Sequence, residues 1–469
     1  MNGTTPSAGP RPLLDGIPRQ PVQVPAAGPP PRAPGPGLGA PVARAVAAFT
    51  GQVLGRHQAA AVRIGFGLVW LAHLLREWPN RRLLYGDTSP WSLDLAERLL
   101  ADNGALTVLP WFGGRLWFEL VYHLAVLAAV GVLLGWRTRA SSVLFLATVL
   151  SLQNRNVFLG DGGDNVVHLM AVYLVFTRCA EVWSLDARRP APGRTGVLLW
   201  AVLGAVLLVC QLGAFSGESL TWTTADFPYV GWSPVFWGLW AVAGIRWLLG
   251  RLRPGGEPRA VLDALATMVH NCAMLVIAAE VVLIYATAGW YKVQGSRWQD
   301  GTALYYPLHL DYFTPWPGLS GLVGSALLPV FLISYGTVIL QVAFPFTLVS
   351  RRLKNALLVV MMAEHLGIAV LLGLPVFSLA MVAADAVFLP TAALLWAAGR
   401  AGSAGARLRG FLGLRRAGAA ERGPARTGVP EAGLADTGLP VTGLADTGLP
   451  ETGSPQAGLP EADGGSRLS

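Results

Sequence analysis

Charge is what this sequence has least of. Its 469 residues include 35 Lys or Arg and 27 Asp or Glu, so only 13% of the chain is charged, about half of the ~25% usual for soluble domains. A soluble domain of this size cannot cover its surface with so few charges. Lysine is nearly missing: Lys292 and Lys354 are the only two, and the other 33 basic residues are arginines. Cysteine is scarce as well. Cys179, Cys210 and Cys272 lie in apolar segments with no CxxC and no metal-ligand spacing, so they read as small buried hydrophobes. These shortages exclude a soluble enzyme, a nucleic-acid-binding protein and a mostly disordered chain. A net charge of +8 would suggest nucleic acid on a soluble protein. Here the basic residues sit in short loops between apolar runs and read as topology signals.

Apolar residues are what the chain has in excess, at 53% with a mean hydropathy of +0.48. A membrane-crossing helix needs ~20 predominantly apolar residues. Ten segments qualify: 58–75, 115–135, 140–156, 165–183, 196–214, 231–249, 268–290, 322–349, 356–373 and 376–398. They predict an all-α, polytopic integral membrane helical bundle of about ten transmembrane helices. Every even-numbered span is followed by basic residues: Arg137 and Arg139, then Arg188, Arg189 and Arg194, then Arg251, Arg253 and Arg259, then Arg351, Arg352 and Lys354, then Arg400, Arg407, Arg409, Arg415 and Arg416. Those sides are cytoplasmic by the positive-inside rule, which puts both termini in the cytoplasm of a plasma-membrane protein. The outer loops are then 76–114, 153–164, 215–230 and 291–321.

The ends of the chain have a different composition. Residues 1–55 are rich in Pro, Gly and Ala and lack a charged stretch followed by an apolar one, so they read as a disordered cytoplasmic tail rather than a signal peptide. Residues 400–469 are Arg-rich and then repetitive, with GLADTGLPVT (433–442) followed by GLADTGLPET (443–452), a low-complexity tail. LPVTG and LPETG within it have the form of sortase motifs. Neither is followed by an apolar span and a basic tail, so they read as coincidences of the repeat.

Two outer loops carry candidate chemistry. The hairpin NRNVFLGDGGDNVVH (154–168) turns at Asp161-Gly162-Gly163. Asp164 reads as the N-cap of the next helix, and His168 lies one turn along the same face. Arg155 stands on the other arm. The hairpin gathers Arg155, Asp161, Asp164 and His168 at one membrane face, either as a capped, ion-paired turn or as part of a site. The second cluster is ATAGWYKVQGSRWQDG (286–301). Lys292 here either snorkels beside interfacial aromatics or serves as a general base. A chain that uses arginine almost everywhere has retained a lysine here, and lysine, unlike arginine, can lose its proton. Within the spans, Arg63, Glu119 with His123, Glu280, Glu364 with His365, and Asp385 are ionisable, and such groups usually face a bundle interior. No repeated Glu-x-x-His pairs are present, so no metal is expected.

The blocks 154–169, 286–306 and 364–390 together resemble the HTTM (horizontally transferred transmembrane) family, related to the membrane domain of vitamin K-dependent gamma-carboxylase. The resemblance covers about residues 57–398 and predicts an HTTM-like domain over 56–399. Its most specific piece is A-G-x-x-K-x5-W-x2-G, here Ala288, Gly289, Lys292, Trp298 and Gly301. The resemblance implies that Lys292 is the base that deprotonates a reduced quinone, a menaquinol or vitamin K hydroquinone-like cofactor, with His168 assisting. It implies pocket or supporting roles for Arg155, Asp161, Asp164, Trp298, Gly301 and His365, and a small-molecule or peptide substrate alongside membrane lipids. The carboxylase carries a substantial further domain after its membrane part, where this sequence reads as a low-complexity tail, so the expectation is quinol chemistry rather than protein Glu carboxylation. The competing expectation is a non-enzymatic transporter, or an accessory or immunity factor that binds a peptide or lipid, with Glu280, Glu364, His365 and Asp385 as a proton path.

Overall fold

The computed structural model describes residues 39–411 apart from 104, 189–193, 214–220, 225, 226, 230 and 254. The repeat tail with its sortase-like motifs lies outside the described residues, as does 1–38.

The described residues are helical but for one small hairpin. In order the helices are α1 (Gly39–Gly51), α2 (Arg56–Glu77), α3 (Arg81–Tyr85), α4 (Leu93–Asn103), α5 (Arg115–Leu134), α6 (Thr138–Arg155), α7 (Gly162–Phe176) and α8 (Arg194–Gly213). Strands β1 (Thr221–Thr224) and β2 (Phe227–Tyr229) pair antiparallel. Then come α9 (Trp232–Leu252), α10 (Glu257–Gln294), α11 (Ser296–Gln299), α12 (Tyr305–Leu308), α13 (Pro317–Gly324), α14 (Leu327–Thr347), α15 (Arg351–Leu371), α16 (Pro375–Asp385) and α17 (Thr391–Phe411).

Seven of these, α2, α5, α8, α9, α10, α14 and α15, are long and apolar enough to cross a membrane. The third, fourth and tenth expected spans are not among them, and each has a physical reason. Helix α6 buries Ser141, Ser142, Thr148 and Ser151; Thr148 and Ser151 return hydrogen bonds to the carbonyls of Leu144 and Ala147, which makes a polar helix tolerable in an apolar setting. Helix α7 has only 15 residues, roughly 22 Å, and packs among α6, α10 and α16. The expected span 376–398 is broken. Helix α16 passes through a short 3-10 turn at Ala386–Phe388 and stops before Pro390, which has no N–H to continue the ladder. The Phe388 carbonyl accepts from Lys354 Nζ, and the Leu389 carbonyl accepts from Gln58 Nε2 at 2.8 Å. Helix α16 therefore ends between the first turns of α2 and α15, and α17 is a separate helix. Lys354, expected to be a topology charge only, also satisfies a helix C-terminus. The expected span 322–349 is likewise interrupted, at Ser325–Ala326 between α13 and α14.

The expected tail 1–55 is corrected at its end, because residues 39–51 form α1. Two side chains of α10 hold the turn between α1 and α2. Asn271 donates to the carbonyls of Phe49 and Gln52 and accepts from Leu54 N–H, and His270 Nε2 lies 2.8 Å from the Leu54 carbonyl. A Pro/Gly/Ala-rich composition lowers local propensity, but these tertiary bonds outweigh it.

Arg63, one of the charges found within a span, is fully buried. It donates to the carbonyls of Val132 and Leu133 at the end of α5, and to those of Cys179 and Trp183. It closes a helix C-terminus whose carbonyls have no intrahelical partner. Glu119 is chelated by Arg81, with both N···O distances 3.0 Å, more closely than by His123 at 3.6 Å. Of the cysteines, Cys179 is buried as expected, whereas Cys272 is exposed because it lies on the face of α10 turned away from the bundle.

Candidate functional site

The polar groups of this bundle converge where α10, α14, α15 and α16 meet. Tyr285, Gly289 and Lys292 recur at four and seven residues on α10, so they share one face. Gly289 is what lets that face close: a Cβ there would lie 2.9 Å from Val342 Cγ2 and 3.1 Å from Val342 N of α14. With the helices in contact, Lys292 Nζ donates to Gln341 Oε1 at 2.9 Å. Gln341 Nε2 in turn faces Glu364 Oε1 at 3.3 Å. Trp298 lies on the other side of the lysine, with Nζ 5.2 Å from its ring centroid, a cation–π contact.

Two turns back along α10, the Tyr285 hydroxyl donates to Asp385 Oδ2 at 2.9 Å and lies 3.1 Å from His365 Nε2. All three residues are buried. Among the described residues, the Nδ1 atom of His365 and the Oδ1 atom of Asp385 have no hydrogen-bond partner. Buried polar atoms are almost always satisfied, so two orphaned atoms in one cluster are unusual. Glu364 and His365 are adjacent on α15 and join the two tiers: Lys292, Gln341 and Glu364 in one, Tyr285, His365 and Asp385 in the other.

Lys292 is not at the rim of α14. Gln341 is the fifteenth residue of that helix, roughly 21 Å along it from Leu327. The loop after Lys292 packs over the intervening turns. Gly301 there has φ +76°, and a Cβ on it would meet Phe331 Cδ2 at 2.6 Å and Tyr335 Cε2 at 2.7 Å. Tyr335 donates its hydroxyl to the Gln299 carbonyl, and Ser334 Oγ accepts from Leu304 N–H at 3.2 Å. The Asp300 carboxylate takes hydrogen bonds from the amide and hydroxyl of Thr302, which hold it below the usual carboxylate range. Thus Trp298 and Gly301 have different parts: one ring touches the lysine, and one glycine permits the close loop.

The hairpin residues sit apart from Lys292 in their polar contacts. Asp161, not Asp164, is the N-cap of α7; it accepts from the amides of Gly163 and Asp164, while Asp164 Oδ2 accepts from Asp161 N–H at 2.8 Å. This reciprocal arrangement is a capping box with Asp in both places. Arg155 is buried and, among the described residues, pairs with no carboxylate: it donates to the carbonyl of Trp91 at 2.9 Å and approaches that of Gly86 at 3.5 Å. Asn154 and Asn156 beside it donate to Leu106 and Leu84 carbonyls, so the triplet holds the 84–106 segment. His168 is half-buried and makes none of the hydrogen bonds to Lys292, Gln341 or Glu364. The link between hairpin and network is apolar. Gly163 rests on Phe377 of α16, where a Cβ would lie 2.6 Å from its Cα, and the Phe377 ring is 5.5 Å from that of His365.

The pattern of ionisable residues in the sequence points to neither Tyr285 nor Gln341. Tyr285 is seven residues before Lys292, and that spacing on one helix face was the available signal. Gln341 gave none, being a lone amide in an apolar span. Comparison with protein-family models, characterised proteins and solved structures finds no match.

Proposed function

We propose that this chain is a plasma-membrane protein of HTTM type that oxidises a reduced quinone, with dioxygen as the electron acceptor and Lys292 as the general base. The observation that carries the reading is the lysine's surroundings: one amide, one indole face and a carboxylate held behind the amide. A lysine whose nearest acceptor is neutral is freer to give up its proton than one clamped by a carboxylate.

The residues present fit a quinol. A reduced quinone, when bound, would supply two electrons and two protons, with dioxygen as the two-electron acceptor. Lys292 accepts the hydroxyl proton, using the capacity its single hydrogen bond leaves open. Gln341 fixes Nζ, and Trp298 screens it from water. The orphaned His365 Nδ1 and Asp385 Oδ1 atoms offer further polar contacts beneath. Depth also favours a lipid-soluble partner, because Lys292 is far along α14 and a water-soluble protein substrate would have to penetrate the bundle. Gly163 rests on Phe377 and holds the hairpin against α16, and His168, one turn along α7 from Asp164, assists from that side.

The proposed topology has ten crossings and both termini in the cytoplasm. The seven long helices supply seven crossings, and α6, α7 and the α16 segment supply three short ones that burial among protein neighbours makes tolerable. The test is direct. Purified chain should yield an extractable quinone and oxidise menaquinol; neither quinone nor turnover would overturn the reading. The Tyr285–His365–Asp385 cluster also favours a second reading, proton-coupled transport. Uptake into vesicles lost on Asp385→Asn, without quinol turnover, would support that instead.

A further inference from the structure

Helices α8 and α9 stand away from the core. Only 6% of each span is buried inside the protein. They are fastened to each other: Trp200 and Trp240 stack with centroids 4.2 Å apart, and each indole N–H donates to the other residue's carbonyl, at 3.0 and 2.9 Å. Between this pair and α5–α6 lies a cavity of about 820 Å³, within the ~300–1,000 Å³ range of ligand pockets. Its walls are apolar along most of their length, including Leu124, Val143, Leu203 and Phe236.

One end is basic. Arg137, Arg139 and Arg246 line it. Arg246 is committed to Asp263 at 2.7 Å. Asp186, the acid at this end, caps α6 by accepting from the amides of Arg137 and Thr138. Arg139 is exposed and, among the described residues, makes no hydrogen bond or ion pair. Arg137 Nε is buried with no hydrogen-bond partner among the described residues. Arg139 also lines a second cavity of about 330 Å³, which shares Thr138 and Asp186 with the first. An uncompensated guanidinium at the foot of an apolar cavity calls for an anion with an apolar body.

We propose that this cavity binds an anionic glycerophospholipid, its phosphate on Arg139 and Arg137 and its acyl chains along α8 and α9. The basic end is the cytoplasmic end in the proposed topology, the leaflet where anionic lipid and juxtamembrane arginines meet. A nucleic acid or a free anion would leave the apolar walls uncovered. The inference rests on the membrane reading, and its test separates the two.

The full chain, extracted from alkali-washed membranes into detergent, is offered dioleoyl phosphatidylglycerol, dioleoyl phosphatidylcholine or inorganic phosphate, and retention is read by native mass spectrometry. Phosphatidylglycerol should be retained over phosphatidylcholine. Arg139→Gln should weaken that retention about five-fold and leave phosphatidylcholine unchanged. Ala243→Trp, which fills part of the cavity and changes no charge, should weaken it independently, so the proposal stays testable if the arginine variant does not fold. Equal retention of the two lipids by the wild type would overturn the site, as would full retention in Ala243→Trp. Displacement of the lipid by inorganic phosphate would assign the arginines to a free anion and overturn it too. Absence of the chain from washed membranes would instead overturn the membrane reading.

Discussion

Lys292 Nζ meets Gln341 Oε1 at 2.9 Å, and the nitrogen of the same amide faces Glu364 at 3.3 Å. The amide therefore stands between a lysine and a carboxylate. Gln341→Glu would put a negative charge directly on Nζ and hold the ammonium charged. Turnover of menaquinol at neutral pH should fall about ten-fold or more and recover as pH rises, because only deprotonated lysine can act as base. Gln341→Met, which removes the hydrogen bond but adds no charge, should lower turnover without creating that new pH dependence. A stopped-flow pH profile of both variants separates charge from positioning.

The Tyr285 hydroxyl joins His365 to Asp385. Tyr285→Phe leaves both without that partner in a cluster that already has two orphaned atoms. Stability should fall by about 1–3 kcal/mol, read as a lower thermal midpoint in detergent. Tyr285→Phe and Asp385→Asn share one hydrogen bond, so their effects should not add. Simple additivity would mean that the bond contributes nothing.

Gly301 combines a left-handed backbone with side-chain contacts that leave no room for a Cβ. Gly301→Ala should cost about 1–2 kcal/mol from the backbone alone. Limited proteolysis should then reach the loop 295–316 sooner than in the wild type. An unchanged cleavage rate would mean that the loop does not depend on this turn.

Asp161 caps α7 through the amides of Gly163 and Asp164. Asp161→Ala should cost about 0.5–2 kcal/mol, and Asp161→Ser should restore most of it. Both hairpin acids have structural partners here, so quinol turnover per folded molecule should stay near wild type in either variant. A loss of turnover in Asp161→Ser at normal thermal midpoint would return the hairpin acids to the chemistry.

The legible part of this architecture was whatever depends on local pattern. Apolar runs located helices such as α2, α5 and α9 to within a few residues, because burial in lipid or protein demands the same composition along the whole helix. The breaks were harder. Pro390 lay in view, but its consequence depended on Gln58 and Lys354 arriving from distant parts of the chain to satisfy the freed carbonyls. Residues 39–51 looked disordered because the bonds that anchor the turn into α2 come from His270 and Asn271, over 200 residues away. Lysine scarcity drew attention to Lys292, yet scarcity says nothing of neighbours, and Gln341 had no local signature at all. Arg155 and Asp161 looked like chemistry because charge near a membrane face is conspicuous; their partners turned out to be backbone atoms.

The central claim is that Lys292 is a base for a reduced quinone, and one comparison tests it most directly. Menaquinol oxidation by purified wild type is measured beside Lys292→Ala and Lys292→Arg, with thermal midpoints confirming that all three fold. The account predicts turnover in the wild type and none above background in either variant, since alanine has no base and arginine keeps its proton. Turnover in Lys292→Arg equal to the wild type would contradict it.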